Sequence, residues 1–101
     1  MKLRQVHDFS LLVNDKVDWV IDELENQLEQ KLEVCSCSDC VLDMTAWALN
    51  HIKPFYHVTL MGSIYAKTQD TAMLEELKRI VAESIEKIHS NPSCGRISEK
   101  R

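Results

Sequence analysis

Four cysteines carry the chemistry this sequence offers: Cys35, Cys37 and Cys40 within six residues, and Cys94 near the end of the chain. Thiolates are soft ligands, and a tetrahedral zinc ion takes four donors, each sulfur at about 2.3 Å. Cys35 and Cys37 can approach one ion from a loop. Cys40 falls in the first turn of a helix, where the dipole and the free N–H groups favour thiolate over thiol. Cys94 completes the set if the last helix runs back antiparallel to the central one. The expected cofactor is therefore one structural Zn2+ per chain, held by Cys35, Cys37, Cys40 and Cys94, with no open position for catalysis. Zinc held this way contributes on the order of 10–16 kcal/mol to folding, so its loss should unfold or loosen the chain.

Other readings compete for the same residues. Buried free cysteines act as small apolar side chains, but Ser36, Ser38 and Asp39 between them make poor core sequence. Two disulfides require an oxidising compartment. An iron–sulfur cluster or a redox dithiol normally has a spacing other than Cys-x-Cys-x-x-Cys. His89, His57 or His51 could stand in for Cys94 as fourth ligand.

The elements that must position these sulfurs are mostly helical. Met1 to Val13 has no sustained period and reads as an arm. From Asn14, Val17, Val20, Ile21, Leu24, Leu28 and Leu32 recur three or four residues apart. Asp18, Asp22, Glu23, Glu25, Glu29 and Lys31 fill the other faces. The spacing predicts a long amphipathic helix from Asp15 to Glu33, capped by the Asn14 side chain. Its stripe needs another long helix or a second subunit. Val41 to Ile52 is apolar on nearly all sides and belongs in the middle. Pro54 stops it. Phe55 to Lys67 carries β-branched and aromatic residues around Gly62-Ser63, which suggests a short extended segment or small hairpin.

The last long helix opens at Asp70 or Thr71, with Leu74, Leu77, Ile80, Val81, Ile85 and Ile88 as its stripe. Glu75 with Arg79 and Glu83 with Lys87 are favourably ordered ion pairs. Asn91-Pro92 ends the helix.

The chain has 101 residues, 45% hydrophobic and 28% charged, with two glycines and two prolines, which describes one globular domain. The expected division is an arm at 1–13, a zinc-binding helical domain at 14–95 and a polar tail at 96–101. A formal charge of −4 argues against general DNA binding. The longest uncharged run near the N-terminus, Phe9 to Asn14, is too short for a membrane span or a signal peptide. The expected location is the cytoplasm, with reduced thiols.

Leu12-Val13-Asn14, Cys35-x-Cys-x-x-Cys40, Asp43, Ala46, Ala48-Leu-Asn50, Pro54, Tyr56, Val58-Thr59, Gly62, Tyr65-Ala-Lys67 and Cys94 together resemble the late-competence development ComFB family. The resemblance spans Leu12 to Cys94. It implies a small, mainly α, zinc-binding homodimer of bacterial cytoplasm, and a role as receptor for cyclic dinucleotides such as cyclic di-GMP or cyclic di-AMP. The sequence departs at Lys53-Pro-Phe-Tyr56, where the family commonly has Pro-Pro or Pro-Arg before the tyrosine.

Charge placement bears on that role. The 26 residues between Asp43 and Asp70 hold no Asp or Glu, although about four would be expected by proportion. They do hold His51, Lys53, His57 and Lys67, and the rings of Trp47, Phe55, Tyr56 and Tyr65. Cations meet phosphates and flat rings stack on bases. The candidate ligand-binding residues are thus His51, Lys53, Tyr56, His57, Tyr65 and Lys67. The same composition also arises from a buried helix and strand, because cores lack acids. No nucleophile with an adjacent base, no glycine-rich phosphate loop and no open metal site speaks for catalysis.

Two functions follow from these readings. The first is a dimeric, zinc-stabilised cyclic-dinucleotide receptor that signals to a protein. The second is an interaction or assembly protein that displays its acidic helix, Asp15 to Glu33, to a basic partner.

Overall fold

The structure, a computed structural model, describes residues 1–58 and 71–95. The Gly62-Ser63 break, Tyr65, Lys67, the Asp70 helix start and the 96–101 tail lie outside the described residues. Within them the order is α1 (Leu3–Val6), a 3-10 turn (Phe9–Leu11), β1 (Val13–Asn14), α2 (Lys16–Leu28), α3 (Ser38–His51), β2 (Tyr56–His57) and α4 (Thr71–Ser90).

The mainly α reading holds. Helices α2, α3 and α4 all pack on one another. The start of α2 lies by the end of α3, and the start of α3 by the end of α4, so α3 runs against both neighbours. The shared core contains Val20 and Leu24 from α2, Cys40, Met44 and Ala48 from α3, and Leu77, Ile80, Val81, Ile85 and Ile88 from α4. Apart from the adjacent Ile80 and Val81, neighbouring positions in this set sit three or four residues apart on their helices, as a 3.6-residue period requires. Cys40, Met44 and Ala48 form the fully buried face of α3, while Leu42 on another face is 47% exposed. Leu74, expected in the α4 stripe, is also exposed, so the buried stripe begins at Leu77.

Helix α2 stops at Leu28, five residues short of the expected Glu33. Its last turn has no basic side chain to meet the dipole, and Glu29 places an acid there. Bonds of i+3 type then take over, from the N–H groups of Gln30, Lys31 and Val34 to the carbonyls of Gln27, Leu28 and Lys31. They turn the chain toward Cys35 and leave Leu32 exposed while Val34 enters the core.

The extended segment pairs with the N-terminal arm. Strands β1 and β2 are antiparallel, with Val13 opposite His57 and Asn14 opposite Tyr56. Helix α2 begins at Lys16, so Asp15 rather than Asn14 occupies the cap position; Asn14, one residue before it, still accepts the Lys16 N–H through Oδ1 at 3.1 Å and also accepts the Phe55 N–H at 2.9 Å. Lys16 is buried and donates its ammonium to the Lys53 carbonyl at 2.8 Å; burial pushes its pKa down. On α4 the guanidinium of Arg79 meets Glu83 at 2.9 Å, where the spacing had suggested Glu75. Both are well exposed, so the pair adds little stability.

Candidate metal centre

The cysteines converge where the start of α3 meets the end of α4. Cys37 is the residue before α3, with extended backbone, and its carbonyl accepts the Val41 N–H to begin the helix. Cys40 therefore lies in the first turn and is fully buried, while Cys35 is half-buried in the preceding loop. Cys94 follows Asn91-Pro92, where proline has no N–H to continue α4.

The Cys94 sulfur lies 3.3 Å from Cys35 Sγ, 3.6 Å from Cys40 Sγ and 3.8 Å from Cys37 Sγ. All four sulfurs fall within 4.8 Å of one another. Four thiolates at about 2.3 Å from a tetrahedral zinc are separated by edges of about 3.8 Å. The three spacings to Cys94 are close to that edge, and the whole set is compact enough to surround one ion. They are far beyond the roughly 2.05 Å of a disulfide, and the thiols are free. Among the described residues, no histidine joins this group.

Ionisation of the four is uneven. The Cys37 backbone N–H, and then the Cys94 thiol, hold Cys35 down to about 7 from an ordinary 9.0. Cys94, facing first Cys35 and then Cys40 and Cys37, is pushed up to about 12. Burial raises Cys40. At neutral pH negative charge therefore gathers at Cys35 rather than Cys94, and a metal must displace the Cys94 proton as it binds.

Two carboxylates stand behind the sulfurs, and the sequence reading had assigned neither a role at the site. Asp39 Oδ2 accepts the Gly95 N–H at 2.7 Å, and Asp43 Oδ2 accepts the Ser93 hydroxyl at 2.5 Å. Asp39 and Ser93 are both buried. Gly95 has φ of 78°, the left-handed region where a side chain is disfavoured. The available signal was positional: two acids four apart at the start of α3, and a Ser-Cys-Gly sequence after α4.

The other candidate residues lie elsewhere. His51 is exposed in the last turn of α3; its ring stacks on Trp47 at 3.7 Å, and its Nδ1 lies 2.7 Å from the Trp47 carbonyl. Lys53 and Tyr56 are exposed. The side chain of His57 is 14% exposed, and its Nε2 lies 2.7 Å from Asp15 Oδ1. His89 is exposed near the end of α4. Tyr65 and Lys67 lie outside the described residues.

Fold and cluster together define a small, mainly α protein with four cysteines able to coordinate one metal ion. The chain belongs to the family of Late competence development protein ComFB, whose model matches residues 13–92. It is similar to the solved structure of the late competence protein ComFB from Bacillus subtilis, with 29% identity and a TM-score of 0.65. That similarity covers 83% of this chain and 94% of that one. No curated protein matches the sequence. Membership places the chain among non-catalytic proteins. Among the described residues, no helix is long and apolar enough to cross a membrane.

Proposed function

We propose that the chain is a zinc-structured regulatory module that acts by binding other proteins. One Zn2+ ion is held by Cys35, Cys37, Cys40 and Cys94, and four sulfurs leave it no vacancy for substrate. The observation that carries this reading is the convergence of the four sulfurs within 4.8 Å of one another. The outer face of α2 presents Asp18, Asp22, Glu25 and Glu29 to solvent, which suits a basic partner. The module works as a homodimer in the cytoplasm. Exposed Leu11, Leu12, Val13, Val17 and Ile21, running from the arm onto α2, support a subunit contact.

Native mass spectrometry with and without chelator tests the core of this reading. A dimer carrying one zinc per chain is the expected species; a metal-free chain from zinc-replete cells would overturn it. Cys94→Ser should lower zinc affinity by orders of magnitude.

A second reading adds a cyclic-dinucleotide site beyond the end of α3. It draws support from exposed His51, Lys53 and Tyr56, which offer cations and a ring within six residues. Lys67 and Tyr65 complete the site in this reading, together with His57, whose pairing with Asp15 would have to open. Titration calorimetry with cyclic di-GMP and cyclic di-AMP should then show salt-sensitive binding that Lys53→Ala weakens. Absence of heat with both ligands leaves the interaction module as the function.

A further inference from the structure

We propose that Asp39 and Asp43 are positioning residues for the metal centre, clamping the loop that delivers the fourth sulfur. The inference rests on the metal reading above and concerns how that site is assembled. Three of its sulfurs come from one short stretch around the start of α3. The fourth arrives from 54 residues beyond Cys40. The spacing of those three cysteines does not by itself fix where Cys94 must stop.

The two carboxylates supply that stop. Asp39 and Asp43 are four apart, one helical turn along the same face of α3. One accepts from Gly95 and the other from Ser93, the residues on either side of Cys94. A loop held at both neighbours can neither slide along α3 nor rotate Cys94 away from the other sulfurs. The left-handed backbone at Gly95 lets the chain turn sharply enough to bring its N–H to Asp39.

Charge at the metal does not explain these acids, although Asp39 in the first turn also suits the dipole of α3. Four thiolates around one divalent ion carry a net −2, and each nearby carboxylate adds repulsion. Their contribution to the site is the hydrogen bond each accepts. The amide of asparagine presents the same acceptor without the charge. Asp39→Asn should therefore keep metal affinity within a few-fold of wild type. Asp39→Ala and Asp43→Ala should each lower it about 10–100-fold, the usual cost of removing a group that orients a metal ligand.

Cobalt serves as the probe because its spectrum reports how many sulfurs it touches. Wild-type protein, the single variants, Asp39→Ala/Asp43→Ala and Cys94→Ser are titrated with Co2+ against a competing chelator. Alkylation of each cysteine in the loaded proteins is then mapped by mass. The expected result is a four-sulfur spectrum for wild type and Asp39→Asn. The double alanine variant should shift toward the Cys94→Ser spectrum, with Cys94 alkylated while Cys35, Cys37 and Cys40 stay protected.

Wild-type affinity and full Cys94 protection in both single alanine variants overturn the clamp while leaving the metal site intact. Asp39→Asn behaving like Asp39→Ala overturns it too, because charge would then be the operative property. Failure of wild type to bind cobalt or zinc overturns the metal reading itself.

Discussion

At neutral pH Cys35 and Cys94 differ in what they can do without a metal. Cys35, held at about 7 by the Cys37 N–H, is half ionised there, while Cys94, pushed up to about 12, stays protonated. Thiolate is the nucleophile, so iodoacetamide should label Cys35 of the reduced, metal-free chain faster than Cys94, although Cys94 is the more exposed of the two. Mass mapping across pH should place the Cys35 midpoint near 7, its labelling slowing as pH falls below that value. Equal rates at Cys35 and Cys94 would contradict the arrangement. Gly95 gives a second residue-scale expectation. Gly95→Ala forces a Cβ into the left-handed region, which costs about 1–2 kcal/mol, read as a lowered urea midpoint of the zinc-loaded protein.

At the scale of elements, α3 takes its place through one face. Met44 is fully buried at its centre, so Met44→Ala should cost about 2–5 kcal/mol in chemical denaturation, whereas half-exposed Leu42→Ala should cost far less. The buried stripe of α4 was legible because periodicity is a local property, and Ile80, Val81, Ile85 and Ile88 all lie where it put them; α3, apolar on nearly all sides in sequence, instead leaves Leu42 and Ala46 exposed and buries one face. The end of α2 was harder to read. Leu28 and Leu32 keep the helical spacing, yet the chain tightens after Leu28 and Leu32 faces solvent. Spacing records which residues would share a face if the helix continued, not whether it does. Strand pairing between Val13-Asn14 and Tyr56-His57 left no mark in either segment, since a two-residue ladder depends on where the intervening helices bring its ends. The sulfur cluster was readable because its ligand types are rare and crowded. The carboxylates behind it were not, since two acids near a helix start are common for dipole reasons alone.

At the scale of the molecule, α3 is fastened at both ends by different chemistry. Its start meets the sulfur cluster. Its end is held through the Lys53 carbonyl by Lys16, and through His57 by Asp15. Removing zinc should release the first fastening and leave the second. Hydrogen exchange with chelator present should therefore quicken most around 35–43 and 85–95, and least around 13–20 and 52–57. Uniform acceleration would mean that the whole fold melts as one unit.

The cluster also joins Cys35 to Cys94 across 59 positions of chain. A covalent link closing a loop of that length would remove about 4 kcal/mol of freedom from the unfolded chain. A zinc ion in the cluster closes the same loop reversibly, so the closure depends on how much free ion the surroundings supply. Each tenfold rise above the dissociation constant adds about 1.4 kcal/mol to the folded form. The thermal midpoint of this protein then becomes a gauge of available zinc, and a cell short of the ion would carry the same polypeptide in a softer, more readily degraded form.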